Sequence, residues 1–211
     1  MKFRLCFFAA VSVLCAGHAA AAPSNLCGQL ANSFGPFDYN NGANATSLQT
    51  VEPYHFTEEV EQGIRGATGP LGGDIDYTLR AFPNHPRALA TMARIGLRDK
   101  VVQVPGAKYP VECYFIRAMQ FRPDDATVRA TYASYLLGQG KNEAALEQMK
   151  AAVELDPENP TLHYNLGILY FKRKQYDLAN QQAQLAYARE FPLAGLRQML
   201  KEVGQWKEAA P

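Results

Sequence analysis

The chain has 211 residues, 47% hydrophobic and 11% aromatic, enough apolar material for one ordinary domain and too much for a solvated tail. Lys+Arg 21 against Asp+Glu 20 leaves a net charge of +1, with no segment concentrating the excess. A nucleic-acid partner is disfavoured, because such proteins carry a basic face.

Residues 1–21 read as an export signal. Lys2 and Arg4 precede an apolar run, Leu5 to Gly17, that is too short to span a bilayer comfortably. Ala19-Ala20-Ala21 then offers the small residues that signal peptidase requires; an uncleaved anchor is the other reading. Ser12-Val13-Leu14-Cys15 lacks the pattern that lipidation needs. No later apolar stretch has membrane-spanning length, so a periplasmic or secreted protein is expected. Cys6 and Cys15 leave with the signal. The two remaining cysteines, Cys27 and Cys113, are expected to pair in an oxidising compartment.

Residues 22–51 read as an irregular N-terminal arm, because Gly35-Pro36 and Asn40-Asn41-Gly42-Ala43-Asn44 favour turns. Residues 52–85 hold a degenerate helix pair, Thr57–Gly63 and Asp74–Phe82, with Thr57 and Asp74 as expected N-caps. The glycine-rich link Gly66–Gly73 has no Gly-Lys-Ser/Thr, so it reads as a turn rather than a phosphate loop. Residues 86–125 form the next unit, with a second helix over Tyr109–Phe121 and surplus residues in Asp99–Lys108.

Two consecutive 34-residue units follow, Ala126–Asn159 and Pro160–Leu193. Small residues recur in register: Ala133 with Gly167, Ala145 with Ala179, Ala152 with Ala186. Bulky partners sit between them, Tyr132 with Leu166 and Leu136 with Tyr170. Antiparallel helices approach closely only where side chains are small, and one pair cannot bury its own apolar face. These positions resemble the tetratricopeptide repeat. The resemblance is clearest over 126–193, persists over 86–125 and fades over 52–85. It implies an all-α fold, a right-handed superhelical solenoid of helix pairs, with a capping helix and tail over 194–211.

Catalytic chemistry finds no foothold. His55, His85 and His163 lack partners at metal-ligand spacing, and neither HExxH, paired CxxC nor Gly-x-Ser-x-Gly occurs. A non-enzyme without metal or cofactor is expected. The resemblance implies a concave groove lined by the first helix of each unit. Carried over by register, position two gives Arg87 and Thr161, and position five gives Tyr164. Position six gives Thr91, Thr131 and Asn165. Position nine gives Arg94, Ser134 and Ile168, and position thirteen Lys172. The Lys-and-Asn carboxylate clamp of chaperone-binding members is not reproduced. The expected function is a non-catalytic protein-interaction scaffold in the cell envelope that holds an extended peptide. The alternative is an accessory or glycan-binding subunit of an envelope enzyme complex, which an exposed stacking pair such as Tyr164 with Phe171 would favour.

Overall fold

The computed structural model describes residues 27–208, so the expected export signal lies outside the described residues. Among these, every regular element is helical: α1 Ala45–His55, α2 Glu58–Gln62, α3 Leu71–Ala81, α4 Pro86–Asp99 and α5 Val111–Phe121. There follow α6 Ala126–Gly138, α7 Asn142–Leu155, α8 Pro160–Lys172, α9 Tyr176–Tyr187 and α10 Gly195–Glu202.

The repeat is built from matched starts and stops. α4, α6 and α8 each begin after a residue whose side chain accepts from the first-turn amides. His85 accepts from Ala88, Asp125 from Thr127 and Val128, and Asn159 from Thr161. Each satisfies donors that a helix leaves orphaned. Proline follows at the first helical position of α4 and α8, where its missing N–H costs nothing. The three helices stop alike, on left-handed Lys100, Gly140 and Lys174, which occupy equivalent places fourteen residues after each start. Glycine adopts that conformation freely, whereas lysine does so at a cost of about 1 kcal/mol.

Between starts and stops the packing follows side-chain size. Ala145, Ala152, Ala179 and Ala186 are fully buried where α7 and α9 meet their partners. A Cβ on Gly167 would run into Leu196 and approach the Ala179 carbonyl, so α8 sits closest to α9 and α10 there. Upstream, the Phe115 ring of α5 stacks on Tyr132 and Tyr135 of α6, at centroid distances of 4.9 and 5.5 Å, and joins the units. Leu196 and Leu200 of α10 are wholly buried against the core of α8 and α9, and Trp206 folds over Tyr187. Within the expected capping segment 194–211 the helix takes eight residues, Gly195–Glu202, and a turn follows in which the Gln205 and Trp206 amides donate to the Leu200 carbonyl.

The N-terminal third departs most from expectation. The arm is irregular only to Asn41; a short 3-10 turn at Gly42–Asn44 leads into α1. Leu48 and Val51, three residues apart, place one face of α1 on Ala81 and Phe82. α3 packs against α1 and α4. It begins at Leu71, so Asp74 is not its N-cap but sits within its first turn. The Asp74 carboxylate instead turns back into the glycine-rich link, accepting from the amides of Ala67, Thr68 and Gly69 and from the Thr68 hydroxyl. The anion that this loop cradles belongs to the protein itself. Thr57 does precede α2, but its hydroxyl makes no capping bond. α5 starts at Val111 rather than Tyr109, because Pro110 stands at the N-cap place.

The surplus loop after α4 has a use. Val104 and Ala107 are buried, the Lys108 amide donates to Asp76, and the Pro105 carbonyl lies on Gly72 of α3. Cys27 and Cys113 form a disulfide, with Cα atoms 5.0 Å apart. One turn further along α5, buried Arg117 donates to the Cys27 and Gln29 carbonyls. The arm then runs over the turns before α4 and α6: Phe37 donates to Ala81, Tyr39 to Asn84, and Asn40 to Asp125.

Candidate functional site

α4, α6 and α8 start after capping side chains at equivalent positions, and together they border one trough. It encloses about 820 Å³ and is lined by parts of all three helices. Five expected residues meet there: Arg94 on α4, Thr131 and Ser134 on α6, and Thr161 and Asn165 on α8. Its floor is small and apolar, with Ala90, Ala93, Leu97, Ala130 and Leu162. A narrower hollow of about 110 Å³ adjoins it, where Ile168 joins Ser134 and Asn165 over Met149.

The polar groups differ in what they offer. Thr131 and Ser134 donate their hydroxyl protons to the Thr127 and Ala130 carbonyls, one turn back, and keep only acceptor lone pairs for a guest. Asn159 is engaged as the α8 cap and donates to Asp156. Half-buried Asn165 has no side-chain hydrogen bond to another described residue, so its amide retains both donor and acceptor capacity. Burial, then the nearby Glu112 charge, raises the Tyr135 pKa against the opposing effect of the Gln139 hydrogen bond. Tyr135 therefore meets the trough as a neutral hydroxyl.

Arg87 and Thr91 do not belong to the trough. Arg87 pairs with Glu52 and Glu61 and lies over the Phe56 ring, while buried Thr91 donates to the Glu61 carbonyl. Arg94 donates to the carbonyls of Glu61 and Gln62, and Arg98 to that of Gly63. The end of α2 thus occupies the face that register assigned to a ligand. The physical reason is that the last carbonyls of a five-residue helix need donors, and α4 supplies them. Register within a repeat carries no information about which element precedes it.

Tyr164 stands at the other end, its ring 4.5 Å from that of Phe191 and its hydroxyl close to Gly195. It does not line the trough. Phe171 packs on Tyr176, so Tyr164 and Phe171 form no stacking pair. Lys172 is exposed and lies outside both hollows.

Sequence reasoning missed Leu97, Tyr135 and Leu162, apolar residues that read as core. It also missed Asn159, a helix boundary by its Pro160 neighbour. Of the histidines, His163 is buried between the Pro157 carbonyl and Gln182, and His85 caps α4. His55 stacks on Tyr77 and hydrogen-bonds Asp74. Among the described residues, no three His, Cys, Asp or Glu side chains gather where they could hold a metal ion.

No curated protein matches the chain. A family model described as TPR repeat matches residues 136–174, the stretch from the last turn of α6 through α7 and α8. Those are the helices whose small residues recur in register and whose first members build the trough. That match identifies a tetratricopeptide repeat within residues 136–174, and the paired helices around it share its all-helical architecture.

Proposed function

We propose that this protein is a non-catalytic scaffold of the cell envelope that holds an extended peptide segment of a partner protein in the trough across α4, α6 and α8. Tetratricopeptide repeats are protein-interaction modules, and the finer reading rests on Asn165. A half-buried amide with no side-chain partner among the described residues, set above a small apolar floor, is suited to bond both the N–H and the C=O of a passing backbone. An exported location accords with the charged apolar leader and with the Cys27–Cys113 disulfide. No helix of the described residues is long and apolar enough to cross a membrane.

The test uses a randomised pool of eight-residue peptides with both ends capped, passed over the immobilised protein. Retained peptides should bind Asn165→Ala more weakly by about 1–2 kcal/mol, the worth of buried amide hydrogen bonds. The thermal midpoint should stay unchanged, since a groove position carries little packing. A pool that is not retained, or one held equally by Asn165→Ala, overturns the groove reading.

A further inference from the structure

We propose that the peptide carries an aspartate or glutamate whose side-chain carboxylate is received by Arg94, an inference that rests on the groove reading above. Among the described residues, the charged side chains lining the trough are Arg94 and Arg98, and no Asp or Glu lines it. The two arginines are not equivalent. Arg98 grips both carboxylate oxygens of Asp99, at 2.7 and 2.9 Å, so its charge is already matched. Arg94 donates to the Gln62 carbonyl at 3.0 Å and to the Glu61 carbonyl. Those partners are dipoles and carry no countercharge. The Glu61 carboxylate is committed elsewhere, to Arg87.

Among the described residues Arg94 is therefore a cation held by two neutral anchors, which leaves further N–H donors for a guest. Anchoring matters energetically, because the rotamer freedom that a ligand would otherwise have to freeze is already spent. A carboxylate arriving there gains charge-assisted hydrogen bonds, which are shorter and stronger than neutral ones. The guanidinium is exposed beside an open trough, so the chain can continue past it; the acid belongs to a side chain. A nucleic-acid phosphate fits poorly, since binding it needs several unmatched cations along a track and exposed rings for stacking. Small side chains should flank the acid, to suit the alanine floor under Arg94.

Capped eight-residue peptides retained from the random pool provide the probe, each compared with its Glu→Gln or Asp→Asn twin on the unmodified protein. The acidic member should bind about tenfold tighter. Raising the salt from about 50 to about 500 mM should shrink that ratio, since partly exposed charge pairs are screened. Arg94→Gln should bring the ratio near one, and Arg94→Lys should keep a reduced acid preference. Retained peptides without an acid preference, or a ratio untouched by Arg94→Gln, overturn this inference and leave the groove standing. So does an acid preference seen only for uncapped peptides, which assigns the carboxylate to a chain terminus. A pool not retained at all removes the groove reading and this inference with it.

Discussion

His85 stands immediately before α4 with its side chain wholly buried, and its two ring nitrogens have different duties. Nδ1 accepts from the Ala88 amide, so the proton resides on Nε2, which donates to Glu52 at 3.0 Å. Burial dominates and pulls the pKa from 6.5 to about 4, against the attraction of Glu52. The unfolded chain therefore takes up a proton in a window where the folded one does not. Stability tied to His85 is complete above about pH 6.5 and is lost as pH falls towards 4, by about 3 kcal/mol in all. Asp74 acts lower down. Its burial pushes the pKa up, but hydrogen bonds from Thr68, His55 and the link amides outweigh that and hold it at about 2. Its contribution is present above the ordinary carboxylate value and disappears as pH falls from about 4 to about 2. Urea unfolding at a series of pH values should show two successive losses, and His85→Gln should remove the upper one alone. An upper loss that survives in His85→Gln would place the titrating group elsewhere.

Helix elements are set by their shared starts and stops, and their spacing by residues too small to keep neighbours apart. Ala145 on α7 and Ala179 on α9 are fully buried at equivalent places in the two units. Replacing either with leucine forces extra methylenes into a filled contact, at a cost of about 1–3 kcal/mol. Denaturant midpoints measure this directly, and neutral results at both sites would contradict the close helix approach. These elements were legible because a fixed 34-residue period superimposes independent signals: small residues, caps and stops. α1 was not, because Asn40–Asn44 and Pro53 both argue against a helix there. It exists through Leu48 and Val51 packing on Ala81 and Phe82, a contact that only the folded chain supplies. α2 has five residues and no period to detect. Half of the expected groove residues line the trough, and what stands opposite each helix separates them from the rest. Asn165, Ser134 and Thr131 face open space, whereas Arg87 and Thr91 face α2.

At the scale of the whole molecule, two modes of cohesion meet near α5. Downstream, each helix pair touches mainly its neighbours, so stability there is a sum of local contacts. Upstream, the arm reaches across sequence, and the disulfide closes a loop with a separation of 86 residues. Loops of that length give about 4 kcal/mol in chain-entropy models, and often less in practice. Arg117 holds the Cys27 and Gln29 carbonyls beside the bond, and Asp38 pairs with Arg122, so the arm has anchors besides sulfur. Removing the disulfide should then loosen the arm without unfolding the later repeats. In Cys113→Ser, the Phe37 and Tyr39 amides, which donate to Ala81 and Asn84, should exchange faster with solvent deuterium. Amides within α8 and α9 should keep their protection, because their core is formed with α7 and α10 and not with the arm. Hydrogen exchange resolved along the chain distinguishes the outcomes. Equal loss of protection in α8 and α9 would mean that the solenoid unfolds as one cooperative unit. Unchanged protection at Phe37 and Tyr39 would mean that Arg117 and Arg122 suffice to hold the arm.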